Sequence, residues 1–191
     1  MLILDEPETW LHPSAQLRLG DALSSIGERE QVFVITHSPY LIRKFDSERH
    51  LLTVLSGQGN ARKIDPSTKF GMFGVGEPTW GEINYRAFEV CSSDFHNELY
   101  GHVQRHLDAQ KPEGKFAKEH EIDNFFVGQG IEKSKTWIRA EAFQYPSTLP
   151  SYVRNSIHHP ENEMNKPFTQ EELRDSIKHL VGVVETINVI A

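Results

Sequence analysis

The chain has 191 residues, 38% hydrophobic and 25% charged, which is enough for a packed core in one domain or two small ones. The net charge of −7 argues against non-specific coating of nucleic acid, although it allows a local basic site. The single cysteine, Cys91, excludes an internal disulfide framework and fits a reducing cytoplasm. No apolar run approaches the roughly 20 residues that span a bilayer, so we expect a cytoplasmic protein without a membrane partner.

The first 55 residues alternate strand and helix patterns. Residues 1–4 and 31–36 are short apolar runs, typical of buried parallel strands. Between them lies a helical pattern over residues 15–26, with Ser14 as its predicted cap. Residues 51–55 predict a third strand. Strand, helix and strand joined by short loops predict a βαβ unit, and therefore an α/β domain.

Acidic and polar side chains follow the first two strands. Asp5 and Glu6 begin the segment Asp5-Glu6-Pro7-Glu8-Thr9-Trp10-Leu11-His12-Pro13, and His37 lies in Thr36-His37-Ser38-Pro39. These motifs resemble the Walker B, D-loop and switch-histidine motifs of ABC-type ATPases of the SMC and OLD kind, within the AAA family. The resemblance implies that Asp5 holds Mg²⁺ through water, Glu6 polarises the attacking water and His37 senses the γ-phosphate. The alternative is an acidic turn and a buried histidine in an unrelated α/β protein.

The Walker A pattern G-x-x-x-x-G-K-[ST] does not occur in the sequence. Residues 128–134 imitate it with the wrong spacing, and residues 55–59 imitate the ABC signature on the wrong side of Walker B. We therefore expect ATP and Mg²⁺ to bind only when a partner supplies Walker A, and the chain alone not to hydrolyse ATP. The pattern fits a fragment, an internal start or half of a split gene, with open sheet edges that favour association.

Residues 56–80 predict a connector, with a possible hairpin strand at residues 61–64. We place the domain boundary near residue 75, which gives a truncated ABC-type ATPase lobe with its connector at residues 1–75. Residues 76–191 are predicted to form an all-α helical bundle.

Within this second domain, a capping box at Thr169 and Glu172 predicts the start of a last helix. An earlier helix is predicted by an apolar stripe at four-residue spacing, which consists of Phe95, Leu99, Val103 and Leu107. The basic stretch 133–139 predicts an amphipathic helix that continues to residue 144, with Trp137 and Ile138 in the core. The alternative is a surface that contacts RNA.

An arginine and two histidines lie together on a predicted helix between Pro150 and Pro160. Helical geometry places Arg154 and His158 nearly on one face, with His159 further round at the helix end. A permanent cation beside an imidazole that titrates near neutrality suits acid–base chemistry on a phosphodiester.

Residues 154–159 resemble the R-N-x-x-x-H signature of the HEPN superfamily, small helical domains of which many are metal-independent ribonucleases in toxin and phage-defence systems. The resemblance implies that Arg154 and His159 are the catalytic pair and that Asn155 is the polar residue that follows the arginine. Helix geometry prefers His158, so the choice between the two histidines stays open. The alternative is a surface helix end with two solvated histidines. Four other polar side chains are predicted to be exposed rather than to support the pair: Glu82, Tyr85, His96 and Asn97.

Two functional hypotheses follow. In the first, the chain is a metal-independent endoribonuclease effector of a toxin or phage-defence ATPase system. Arg154 stabilises the phosphorane, His159 acts as acid or base, and RNA cleavage needs no cofactor. Its substrate is RNA, such as tRNA or another structured RNA, and its partners are a second copy and an ATPase or antitoxin. In the second, the chain is a non-catalytic fragment or subunit of an ABC-type ATPase, which needs a Walker A partner and uses the helical domain for assembly.

Overall fold

The chain folds into two compact units, Met1–Glu89 and Val90–Ala191. The boundary predicted at residue 75 lies outside the residues that the structure describes. Helix α3 (Trp80–Phe88), assigned by the prediction to the second domain, belongs to the first unit. The structure is a computed structural model that describes residues 1–46, 48–56, 63–65, 70–74 and 78–190.

The first unit contains the predicted strand–helix–strand arrangement. Strands β1 (Leu2–Asp5) and β2 (Val32–Ile35) pair in parallel, and helix α1 (Pro13–Gly27) connects them. The helix begins earlier than predicted, because His12 and not Ser14 caps it. The His12 side chain accepts a hydrogen bond from the backbone N–H of Ser14, and Pro13 occupies the first turn, where its missing N–H is tolerated.

The sequence predicts that these two strands are buried on both faces, but in the structure they are not. Ile3, Phe33 and Ile35 are 61%, 47% and 54% exposed, while Leu4 and Val34 are half-buried. Successive side chains of a strand point to opposite faces, so only one face of this sheet is covered within the described part of the first unit.

The third predicted strand lies later in the chain than expected and belongs to a hairpin. Strand β3 (Val54–Ser56), expected at residues 51–55, pairs in antiparallel fashion with β4 (Lys63–Asp65). The predicted strand at residues 61–64 is thereby partly confirmed, whereas the turn at residues 57–62 lies outside the described residues. The first unit also contains α2 (Pro39–Ile42), which packs against α1 and α3.

The second unit is mainly helical. Its helices are α4 (Ser93–Asp108), α5 (Glu119–Gly128), α6 (Leu149–His158) and α7 (Gln170–Ile190). The predicted capping box is confirmed, since Thr169 and Glu172 exchange backbone-to-side-chain hydrogen bonds of 2.7 and 3.1 Å. Among the described residues, no helix is both long and apolar enough to cross a membrane. The core that α4 and α7 share includes Phe95, Leu99, Val103, Leu173, Ile177, Leu180 and Val184.

The second unit is nevertheless not all-α. Strands β5 (Lys135–Ala140) and β6 (Phe143–Ser147) form an antiparallel hairpin, so the helix predicted from residue 133 to residue 144 is wrong. Trp137 is 3% exposed and faces Tyr145 across the hairpin, while the neighbouring Thr136 is exposed. This alternation has the two-residue period of a strand. In the sequence, the adjacent apolar pair Trp137 and Ile138 is compatible with the period of a strand and with that of a helix, so it does not decide between them.

Candidate functional site

The predicted nucleotide-binding residues lie together where the two parallel strands end. Asp5 is the register partner of Ile35, and the backbone N–H of Glu6 donates to the Ile35 carbonyl oxygen at 2.9 Å. This bond keeps the chain beyond β1 beside the end of β2. The Glu6 carboxylate lies 3.6 Å from His37 Nε2, with both side chains exposed. The structure therefore brings Asp5, Glu6 and His37 to one edge of the sheet.

Glu8 joins the segments that follow the two strands. Its Oε1 accepts hydrogen bonds from Thr36 Oγ1 and from the backbone N–H of His37, the latter at 3.1 Å. Thr36 Oγ1 in turn accepts from the backbone N–H of Ser38 at 2.9 Å. Because Glu8 is buried, this carboxylate holds His37 in position. Glu8 has no role of its own in the sequence-based prediction, since nothing in a local pattern reveals a partner in a different segment.

The chemistry of this edge suits a magnesium nucleotide. Asp5 and Glu6 present exposed carboxylate oxygens, the ligand type that Mg²⁺ prefers. No cluster of three or more metal-binding side chains occurs among the residues described. Proteins commonly hold Mg²⁺ through one or two carboxylates together with substrate phosphates, so one or two carboxylates are sufficient here.

In the second unit, a buried carboxylate fixes the start of the motif helix α6. Asp123 Oδ1 accepts from the backbone N–H of Thr148 at 2.9 Å and from Thr148 Oγ1 at 2.7 Å, and its Oδ2 lies 2.9 Å from Lys133 Nζ. Burial opposes ionisation of Asp123, but the bonds from Thr148, Lys133 and Ser151 outweigh it and hold the pKa of this carboxyl below its usual value.

One face of α6 carries Arg154 and His158. The Arg154 guanidinium lies 5.6 Å from the ring centroid of Tyr100, a cation–π contact. Burial lowers the pKa of the His158 imidazole, and the charges of Arg154 and then His159 lower it further. The prediction that Arg154 and His158 share a face thus agrees with the structure.

His96 is buried beside this face and does not take the exposed position that the sequence predicts. It is fully buried, and its Nε2 lies 2.9 Å from Ser176 Oγ. Burial lowers the pKa of His96 to about 3, against the opposing effect of the Asn97 side chain. Glu82, in the first unit, is buried as well, and its Oε1 accepts a hydrogen bond from the backbone N–H of Met72 at 2.9 Å. Both polar groups are tolerated in the interior because each has a hydrogen-bond partner.

Asn155 connects the Arg154 face of α6 to the opposite face. Arg154 Nη1 donates to Asn155 Oδ1 at 3.2 Å, and Asn155 Nδ2 donates to Glu119 Oε1. Tyr145 Oη donates to the same Glu119 oxygen at 2.8 Å. Glu119 is absent from the sequence-predicted site, because its contacts with Asn155 and Tyr145 join segments that are distant in the sequence. Two glutamates close together, Glu119 and Glu121, are typical of the first turn of a helix, and this pattern in the sequence indicates the start of α5.

His159 is the C-cap residue of α6 and lies beside a cavity of about 680 Å³. Its Nδ1 is 3.3 Å from Glu161 Oε1. Arg154 is not among the described residues that line this cavity, so the two residues that the HEPN resemblance pairs do not line it together. The lining residues are Glu119, Trp137, Arg139, Tyr145, Asn155, His159, Glu161, Asn162, Glu163 and Met164.

The loop after α6 forms one wall of this cavity and is fixed to β5. Asn162 Nδ2 and Asn165 Nδ2 donate to the carbonyl oxygen of Ile138 at 2.9 and 2.8 Å, and the backbone N–H of Ile138 donates to Asn165 Oδ1 at 2.9 Å. Both the backbone N–H and the carbonyl oxygen of Ile138 in β5 are therefore hydrogen-bonded to loop side chains.

The strand-end motifs and their geometry are similar to those of ABC/AAA-type ATPases. Residues 1–43 match the family model described as "AAA domain, putative AbiEii toxin, Type IV TA system". No curated protein and no solved structure gives a significant match. The match covers β1, α1 and β2 and ends within the first unit, so the HEPN resemblance of the second unit rests on its motif alone.

Proposed function

We propose that the chain is a metal-independent endoribonuclease effector of a toxin or phage-defence ATPase system. The observation that carries this proposal is the hydrogen-bonded series Arg154–Asn155–Glu119, which leads from a fixed guanidinium to the cavity that His159 lines. A nuclease needs a cation for the phosphate and a titratable group beside it, and α6 with its C-cap His159 carries both. The toxin-related family of residues 1–43 is consistent with an effector role.

The reaction is a transphosphorylation. The ribose 2′-oxygen attacks the adjacent phosphorus, so the P–O2′ bond forms while the P–O5′ bond breaks. A base accepts the 2′-hydroxyl proton, an acid gives a proton to the departing 5′-oxygen, and the product carries a 2′,3′-cyclic phosphate. His159 takes one of these proton-transfer roles. Arg154 stabilises the charge that grows on the phosphorane.

A homodimer is part of the proposal. Arg154 does not line the cavity beside His159 in one chain, so in this proposal two copies with adjacent motif helices place the Arg154 of one copy near the His159 of the other. Light scattering at micromolar concentration is expected to give the mass of a dimer. A mass of one chain under these conditions contradicts this part of the proposal.

The ATPase region acts as a sensor or an assembly element in this scheme. A nucleotide bound with a Walker A partner would have its Mg²⁺ near Asp5, while Glu6 would orient the attacking water and His37 would contact the γ-phosphate. Mg²⁺ supplies neutralisation of phosphate charge when it is bound. The partner is a separate ATPase subunit or an antitoxin, and the site of action is the cytoplasm.

The second candidate is a non-catalytic subunit of an ABC-type ATPase. The uncovered apolar face of β1 and β2 favours it, because Ile3, Phe33 and Ile35 would be covered by a partner. In that case the second unit serves assembly only.

The test is incubation of the chain with total tRNA and defined RNAs in EDTA. Wild type is expected to cut RNA, and Arg154→Ala is expected to lose activity on the order of a hundredfold or more. Arg154→Lys restores little, because an ammonium group lacks the planar fork that grips a phosphate. If the wild-type chain forms a dimer but leaves every RNA intact, the result favours the assembly candidate.

A pair of variants separates the two histidines. His159→Ala is expected to abolish cleavage, and His158→Ala to have a mild effect. The reverse result makes His158 the acid or base and leaves the ribonuclease proposal standing. If cleavage persists unchanged in both variants, the site lies elsewhere.

A further inference from the structure

We propose that the cavity beside His159 is a guanine-binding subsite, so that the chain cuts RNA next to guanosines. The inference rests on the ribonuclease proposal for its substrate, whereas the recognition of guanine rests on the cavity alone. Its volume of about 680 Å³ lies within the range of roughly 300–1,000 Å³ that is common for small-molecule sites, and a nucleotide belongs to that size class.

The hairpin supplies one flat wall. Tyr145 lines the cavity and is half-buried, whereas its cross-strand partner Trp137 also borders the cavity but is 3% exposed. Arg139 lies two residues after Trp137, at a β-bulge between Ile138 and Ala140, and also lines the cavity. Aromatic rings are surfaces on which proteins stack unpaired RNA bases, so Tyr145 is the stacking wall and Arg139 is assigned to the base edge.

Glu119 is the acceptor best suited to a base edge. Tyr145 and Asn155 both donate to its Oε1, which fixes the carboxylate, and Oε2 remains as an acceptor among the described contacts. Guanine carries two adjacent donors, N1–H and the N2 amino group, which can both donate to Oε2, since a carboxylate oxygen has two acceptor positions. Adenine and cytosine offer a single amino group on this edge, and uracil offers one N–H.

Arg139 completes the argument for guanine. An arginine fork matches the O6 and N7 acceptors of guanine, and this pairing is the commonest base-specific contact of arginine. Guanine is the base that offers both a double acceptor for arginine and a double donor for a carboxylate.

The charge of the cavity points in the same direction. Three carboxylates line it, those of Glu119, Glu161 and Glu163, against one permanent cation, Arg139. This lining disfavours a phosphate and favours a neutral base with N–H donors. Arg154, outside the cavity, is the better position for the phosphate.

The experiment measures binding of guanosine 3′-monophosphate to the full chain by calorimetry, beside the adenosine, cytidine, uridine and inosine analogues. The guanosine form is expected to bind at least about tenfold more tightly than the others. Inosine keeps N1–H, O6 and N7 but lacks the N2 amino group, so its weaker binding reports the carboxylate contact. Glu119→Gln is expected to make guanosine and inosine forms bind alike. Glu141→Gln, an exposed change in the hairpin turn and outside the cavity, is the matched control and should keep the preference.

A second variant covers the case in which Glu119→Gln disturbs the fold, which a melting curve would reveal. Arg139→Gln should bind guanosine and 7-deazaguanosine monophosphates equally, while wild type prefers the form that keeps N7. A single-stranded oligoribonucleotide with one guanosine should bind more tightly than the mononucleotide. Tighter binding of the mononucleotide overturns RNA as the ligand.

The outcomes separate the two proposals. Equal or undetectable binding of all the nucleotides overturns the guanine subsite, even if RNA is cut. Selective guanosine binding without RNA cleavage supports the subsite and overturns the ribonuclease proposal.

Discussion

At the scale of single residues, Asn155 is the side chain on which the two faces of α6 meet. It accepts from Arg154 and donates to Glu119, so it joins a cation to a carboxylate without charge of its own. An aspartate at this position would oppose the Glu119 carboxylate, and an alanine would remove both bonds. The residue after the arginine therefore has a physical role in this unit.

The effect of Arg154 on His158 can be measured directly. Burial and then the Arg154 charge lower the pKa of His158, so Arg154→Gln is expected to raise that pKa toward the ordinary value of about 6.5. Titration of the histidine ring signals by NMR gives the midpoint. Arg174→Gln, on an exposed position of α7, should leave it unchanged. An unaltered His158 midpoint in Arg154→Gln would show that the guanidinium does not act on this imidazole.

His96 should make stability depend on pH. The unfolded histidine binds a proton near pH 6.5, whereas burial lowers the folded pKa to about 3. The unfolded state therefore takes up the proton first, so this contribution is complete above about pH 6.5 and declines as the pH falls toward 3. Between pH 7.5 and pH 5, the unfolding free energy measured with urea should fall less for His96→Gln than for wild type. His120→Gln, an exposed histidine of α5, is the control, and equal losses for His96→Gln and wild type would contradict the prediction.

At the scale of elements, the start of α6 depends on Asp123. Its carboxylate accepts two bonds from Thr148, so Asp123→Ala is expected to leave a buried N–H and hydroxyl without their partner. The cost is about 1–3 kcal/mol of unfolding free energy, measured by denaturant titration. Asp175→Ala, on the exposed side of α7, should cost much less. Equal costs would mean that the Thr148 bonds do not stabilise the helix.

How far the sequence predicts each element depends on how local its cause is. Helix α7 has both a capping box and an apolar stripe within its own residues, so pattern reasoning finds it. The hairpin of β5 and β6 depends on Trp137 and Tyr145 meeting across a turn, and each segment alone is too short to decide its period.

The candidate site divides in the same way. Arg154, Asn155 and His159 are neighbours in sequence, and the motif identifies them together. Glu119 reaches Asn155 only through the packing of α5 against α6, which no local pattern contains. Arg154 lies within α6, whereas His159 is its C-cap, with a φ of −127° and a ψ of 57°, and this backbone turn is not contained in the motif.

At the scale of the whole molecule, the two units carry separate chemistries. The first has carboxylates and a histidine at a sheet edge, with no Walker A sequence to hold phosphates. We therefore expect no measurable ATP hydrolysis by this chain alone, assayed as phosphate release. Glu6→Gln is the control for contaminating activity. Turnover in wild type that disappears in Glu6→Gln would show that this prediction is wrong.

The attachment of Asn162 and Asn165 to Ile138 has a consequence for how tightly the cavity can bind. A loop that must be ordered by its ligand subtracts that ordering entropy from the affinity, and here the loop is held before any ligand arrives. Affinity is then set by the contacts themselves. A preorganised wall of this kind should show slow amide exchange in the free protein and little further slowing when the cavity is filled.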